Sequence, residues 1–361
     1  MSESSEFNPH WTSSPGATIT DLINIKNIEK TELANFINLG LRETDQLLRG
    51  DVVITVRIAE LLSKHLGGSS DFWLIRESNY REDLIKIEQL KEKESLTQWA
   101  KKFPVREMRK RGWLDDKLDS LESILSFFSA RSAEEWENIY SRKIAASAFR
   151  ASKKLDEDIY STIAWIRQGE VCAEKITCRP WSKEILNDSI SRLRNLTIIK
   201  DPLAYLPIVQ KILAECGVAF VIEKTITGCR VSGVTTFLSN NKAMILQSGR
   251  YGTNDHFWFT LFHEIGHLIL HSSKSTFLDY DSLSNQHHPH EIEANIFSQN
   301  TLIPPHYQEQ LINLQPNYRS ILKFAKKINI APGIIVGQLQ YRGLLPRHHL
   351  NKLKEKISIN L

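Results

Sequence analysis

The chain has no long uncharged apolar run. Nothing in its 361 residues offers the roughly 20 consecutive apolar residues that a membrane-spanning helix needs, so no membrane partner is expected. Cysteine is scarce: Cys172, Cys178, Cys216 and Cys229 are the four, and none forms a C-x-x-C pair. That spacing argues against a disulfide framework or a thiolate zinc site and for reduced, partly buried thiols. Neither sign of charge prevails. The 46 basic and 42 acidic residues leave +4, too little to mark the whole chain as a nucleic-acid binder. No internal repeat of solenoid period is present. The opening MSESSEFNPHWTSSPG lacks the basic start and apolar core of a secretory signal, so residues 1–16 read as a flexible leader. These absences together point to a cytoplasmic protein of two or three domains.

What is there is mostly helical. Residues 17–83 carry five short segments with apolar residues at three- and four-residue spacing, punctuated by Gly40 and Gly50. Ser69 or Ser70 caps the last of them, with Asp71 in its first turn. This predicts an all-α bundle. Residues 84–197 stay helical and more charged, and read as a helical linker or dimerisation region. Within them KKFPVREMRKR (101–111) holds six basic residues and one acidic, a local +5. From residue 198 the pattern changes. VAFVIEK reads as a strand, and residues 230–249 as a hairpin with Asn240-Asn241 at its tip. Helices follow near 255–271, near 290–302 and beyond. Residues 198–345 are therefore expected to form an α+β domain, with 346–361 as a C-terminal tail.

The stretch FHEIGHLILH (262–271) sets His263, Glu264 and His267 in an H-E-x-x-H arrangement among large apolar residues. At about 100° per residue, His256, Thr260, His263, Glu264, His267 and His271 share one narrow arc of an otherwise apolar helix. Polar groups on a buried helix must face partners. Histidines at i and i+4 can both reach one Zn²⁺, and Glu264 can take a proton from water beside it. A tetrahedral site needs a third protein ligand. The elongated H-E-x-x-H-x-x-G-x-x-H pattern is absent, so that ligand must come from elsewhere. Glu291 and Glu293 are the choices in HPHEIEANIFSQNTLIPP. Glu291 shares a helical face with Asn295 and Ser298, and Asn295 can support a ligand, so Glu291 is preferred. QHHPH (286–290) reads as a solvated loop, and His271 or His256 as groups that orient a ligand, stabilise an oxyanion or simply hydrogen-bond within the core.

HFWFTLFHEIGHLILH, EIEANIFSQNTLIPP and FAKKINIAPGIIVGQLQ resemble the ImmA/IrrE metallopeptidases over roughly residues 198–345. The resemblance implies a gluzincin-like fold with one Zn²⁺ per chain on His263, His267 and Glu291, and Glu264 as general base. It also implies a protein substrate, a repressor or toxin–antitoxin partner. The hairpin's edge strand is expected to hold that substrate by strand addition. EKTELANFINLGLRETDQLLRGD with TVRIAELLSKHLGGSSDFWL is similar to the XRE-type, HigA-like helix-turn-helix. On that resemblance residues 41–48 form the recognition helix, and Arg42, Glu43, Gln46 and Arg49 face double-stranded DNA. Glu43 and Asp45 place two acids there. A carboxylate can read cytosine but repels phosphate. The expectation is a multidomain chain: an all-α helix-turn-helix domain at 17–83, a helical region at 84–197 and an α+β gluzincin-like metallopeptidase domain at 198–345. It would act as a homodimeric regulator. The alternative is a DNA-binding antitoxin or repressor that keeps a silent peptidase fold as a sensor.

Overall fold

Helices dominate, and the few strands sit late in the chain. The computed structural model describes residues 11–140, 156–250, 252–271, 277–280 and 289–357. Residues 1–10 of the leader, the 141–154 part of the helix expected from 132, residues 286–288 of the QHHPH loop and the last four residues lie outside them. Packing divides the chain into Met1–Trp99 and Ala100–Leu361, rather than near 83 and 197. Among the described residues no helix is long and apolar enough to cross a membrane.

In the first unit α1 (Pro15–Lys26), α2 (Lys30–Phe36), α3 (Leu41–Arg49), α4 (Val56–Leu66) and the start of α5 (Ser70–Ala100) surround one core. Ile19, Leu33, Leu47, Ala59, Leu62 and Trp73 fill it. The helix ends follow the punctuation of the sequence. Gly40 N-caps α3, Gly50 closes it in the left-handed region, and Ser69 Oγ accepts from Phe72 N at 3.0 Å.

In the second unit the sheet has the order β1-β3-β2-β4. It comprises β1 (Val218–Ile222), β2 (Val231–Ser239), β3 (Lys242–Gln247) and β4 (Phe277–Tyr280). β2 and β3 form the expected hairpin, with Ser239 opposite Lys242 at its tip. β1 runs parallel to β3, and β4 runs antiparallel to β2. Both hairpin strands are therefore interior. The substrate-holding edge expected of the hairpin is taken by β4, because the chain returns after the H-E-x-x-H helix and pairs with β2. β3 is buried from Ala243 to Gln247, as its unbroken AMIL run requires of a strand covered on both faces.

One cover is α8 (Asp156–Glu174), numbered after α6 (Val105–Lys110) and α7 (Ser120–Phe128). Gly169 of α8 lies against Leu246, and Trp165 Nε1 donates to Glu223 O at 2.8 Å. The region read as a linker thus supplies a layer of the second unit. Arg111, from the basic run, bonds Thr225 O at 2.7 Å and also Lys224 O, so it holds a loop rather than a free phosphate. The other cover is α11 (Asn254–Leu270), packed with α9 (Lys183–Asn195), α10 (Pro202–Glu215), α12 (Pro289–Leu302), α13 (Tyr318–Ile328) and α14 (Pro332–Tyr341).

The C-terminal segment is not a free tail as far as it is described. Asn254 N donates to Glu355 O at 2.9 Å, Glu355 N returns a bond to Asn254 Oδ1 at 3.2 Å, and Ile357 N donates to Gly252 O at 2.8 Å. Lys354 Nζ pairs with Asp255 Oδ2 at 2.6 Å. The first of these bonds occupies the Asn254 N–H, one of the donors that a helix N-terminus otherwise leaves open.

Candidate metal centre

α11 is apolar around most of its circumference. Trp258, Leu261, Phe262 and Ile265 are all fully buried, which fixes the helix's rotation against its neighbours. The same rotation turns His263, Glu264 and His267 into the interior, at 2%, 0% and 1% exposure. α12 crosses closely because residue 266 is glycine. A Cβ there would meet the Phe297 ring at 3.1 Å and Ala294 Cα at 3.3 Å. Close approach brings Glu291, 3% exposed, to the two imidazoles.

The donor atoms converge. His263 Nε2 and His267 Nε2 are 3.0 Å apart, and Glu291 Oε2 lies 3.2 Å from the first and 3.6 Å from the second. Ligand atoms at about 2.1 Å from a tetrahedral zinc are about 3.4 Å from one another, so the three separations bracket the edge of such a site. His263 Nδ1 faces Asn295 Oδ1 at 3.1 Å. An amide oxygen only accepts, so Nδ1 carries the proton and Nε2 offers a lone pair. Electron-rich atoms at this spacing repel unless protons or a cation lie between them. One zinc would satisfy all three.

Electrostatics favour the same donor forms. Burial pulls the His267 imidazole down to about 4, against the opposing pull of Glu291. Burial pushes the Glu291 carboxyl up, but hydrogen bonds to His263 and His267 outweigh it and hold it well below the usual carboxylate range. A neutral imidazole and an ionised carboxylate are the forms that bind a metal. Among the described residues, these three form the His/Cys/Asp/Glu group able to hold an ion.

With this geometry in place, comparison adds one finding. Residues 237–336 match the family model of Peptidase_M78, the IrrE N-terminal-like domain. The matched segment contains α11 and α12 and hence His263, Glu264, His267, Glu291 and Asn295. The match supports a metallopeptidase-like domain of the ImmA/IrrE type over these residues, and that family is zinc-dependent in general. No curated protein matches the chain.

Other residues singled out from sequence fall outside the donor set. His271 C-caps α11; its Nε2 faces His290 O at 3.1 Å and its Nδ1 lies 3.6 Å from Glu293. Glu293 is exposed and is not one of the three donors. His256 is also exposed, so the polar stripe does not run unbroken to the start of the helix. In the first unit Arg42 is exposed. Glu43 Oε2 accepts from Gly40 N at 3.1 Å and so caps its own helix. Arg49 pairs with Asp51 at 3.1 Å, and Gln46 is half-buried. Asp45 is neutralised by Lys30 of α2 at 2.7 Å. Two residues against Glu264 escaped the sequence reading. Thr235 Oγ1 donates to Glu264 Oε2 at 2.5 Å, and Gly233 leaves the space beside Glu264 Oε1. Both lie on a strand some thirty residues earlier, where a helical wheel gives no signal.

Proposed function

We propose that the second unit is a zinc-dependent endopeptidase that cuts a protein partner, a repressor or a toxin–antitoxin regulator. The single observation behind this is a buried Glu264 standing next to three convergent donors without being one of them. A metal held only for structure needs ligands and no neighbouring base. Zinc, when bound, polarises the scissile carbonyl and acidifies the attacking water. His263, His267 and Glu291 would hold it, and Asn295 would orient His263. Glu264 accepts the proton of the attacking water and delivers it to the departing amine. The apolar packing of α11 keeps these groups in place without help from solvent. Mapping new protein N-termini in cells carrying wild-type chain or Glu264→Gln tests the reading. A partner cut only by the wild type is the expected result, and identical N-termini in both would contradict it.

The reading extends to a DNA-binding first unit that acts as a homodimer. Support comes from α2 and α3 joined by the short Ile37–Gly40 turn, and from exposed Arg42. The Lys30–Asp45 pair removes one of the two charges that would repel phosphate, and the cap removes Glu43 from the groove-reading set. Selection from random duplexes should enrich a two-fold symmetric site whose affinity falls with salt. Failure to enrich any sequence would remove the DNA-binding role and leave the peptidase reading standing.

A further inference from the structure

The structure assigns Thr235 as the residue that positions the Glu264 carboxylate, with Gly233 keeping the space in which that carboxylate lies. The inference rests on the metallopeptidase reading of the site. Neither residue belongs to the matched segment, which begins at residue 237.

Thr235 and Glu264 are 1% and 0% exposed, so their contact is shielded from water. The hydroxyl is 2.5 Å from Glu264 Oε2 and 3.2 Å from Glu264 O. A hydroxyl has one proton to give. The shorter contact, to Oε2, takes it and fixes where that oxygen lies. Residues two apart on a strand share a face, so Gly233 and Thr235 address the same side chain. A Cβ at Gly233 would overlap Glu264 Oε1 and come within 2.8 Å of Cδ. The carboxylate is thus bonded at one oxygen and laid against bare backbone at the other. The cradle is itself rigid. β2 is held by β3 on one side and β4 on the other, with Gly233 and Thr235 in register with both. A β-branched threonine has few rotamers in which to swing away. Both of these contacts of the Thr235 hydroxyl are to Glu264, so Thr235 acts on the reaction through that residue.

The test uses the full chain loaded with zinc and acetohydroxamate as the probe. This small ligand chelates zinc and shares its proton with an adjacent base, so its affinity reports where the carboxylate sits without any substrate. Zinc content and acetohydroxamate affinity by calorimetry are read for each variant. All variants should hold one zinc. Thr235→Val should bind the probe about 10-fold more weakly than wild type, the loss of a hydrogen bond to a charged group. Thr235→Ser keeps the hydroxyl and should stay within about twofold. Gly233→Ala leaves the hydroxyl and displaces the carboxylate, so it should weaken the probe too. Should Thr235→Val fail to fold, Gly233→Ala and Thr235→Ser still decide the matter. Wild-type probe affinity in Thr235→Val or Gly233→Ala overturns the positioning role. So does zinc loss confined to the Thr235 variants, which would make the residue part of the metal site. Absence of zinc from the wild type defeats the metallopeptidase reading itself and is distinguishable from both.

Discussion

Glu264→Gln should leave zinc bound and lower cleavage of the partner protein by about 10²- to 10⁴-fold, the usual contribution of a placed proton acceptor. The two halves of this expectation come from different atoms. Zinc stays because the donors are His263 Nε2, His267 Nε2 and Glu291 Oε2. Rate falls because an amide cannot take the proton from water. The fold should be unaffected, since Thr235 Oγ1 can donate to the amide oxygen where it donated to Glu264 Oε2. The measurement is single-turnover cleavage at equal zinc content. Cleavage within a few-fold of wild type would move the proton transfer to another group. Loss of zinc would mean that Glu264 serves the metal rather than the water.

Trp258→Ala should destabilise the second unit by about 3–5 kcal/mol, whereas Trp258→Phe should cost much less. Trp258 is fully buried on the same helix as the two histidines and packs against Tyr205 (ring centroids 5.1 Å) and Phe262 (6.2 Å). Its indole N–H has no hydrogen-bond partner among the described residues. Its stabilising role is therefore filling of volume, and a second aromatic ring retains most of that. Denaturant unfolding monitored by circular dichroism gives both values. Equal losses for Ala and Phe would show that the indole N–H matters after all. Because this packing sets the rotation of α11, the alanine variant should also bind zinc more weakly even below its unfolding transition.

The site was legible in sequence where one helix carries it. The i, i+4 spacing of His263 and His267 and the shared face of Glu291 and Asn295 are local facts, and each maps to a contact. The hairpin was legible for the same reason, as alternation around a two-residue tip. What escaped depends on pairing between distant segments. β4 lies beyond α11, and four residues carry too little pattern to reveal that they would cover β2. α8 reads as an amphipathic helix, but nothing in its periodicity says that its apolar face meets a sheet rather than another helix. The segment 354–357 is polar and looks like a tail. Its bonds to Gly252, Asn254 and Asp255 run mainly through backbone groups, which composition cannot show. Glu43 is the converse case. It was read as a groove-facing group, yet its place three residues after Gly40 already fits a helix cap.

The most direct measurement is the zinc content of the purified chain after zinc has been offered, by mass spectrometry, for wild type and His267→Ala. One zinc per wild-type chain and almost none in the variant is the expected result, because a two-donor remnant cannot complete a tetrahedral site. Equal zinc in both would place the metal elsewhere. No zinc in either would leave the convergence of His263, His267 and Glu291 without the ion that explains it, and the metallopeptidase reading would fall.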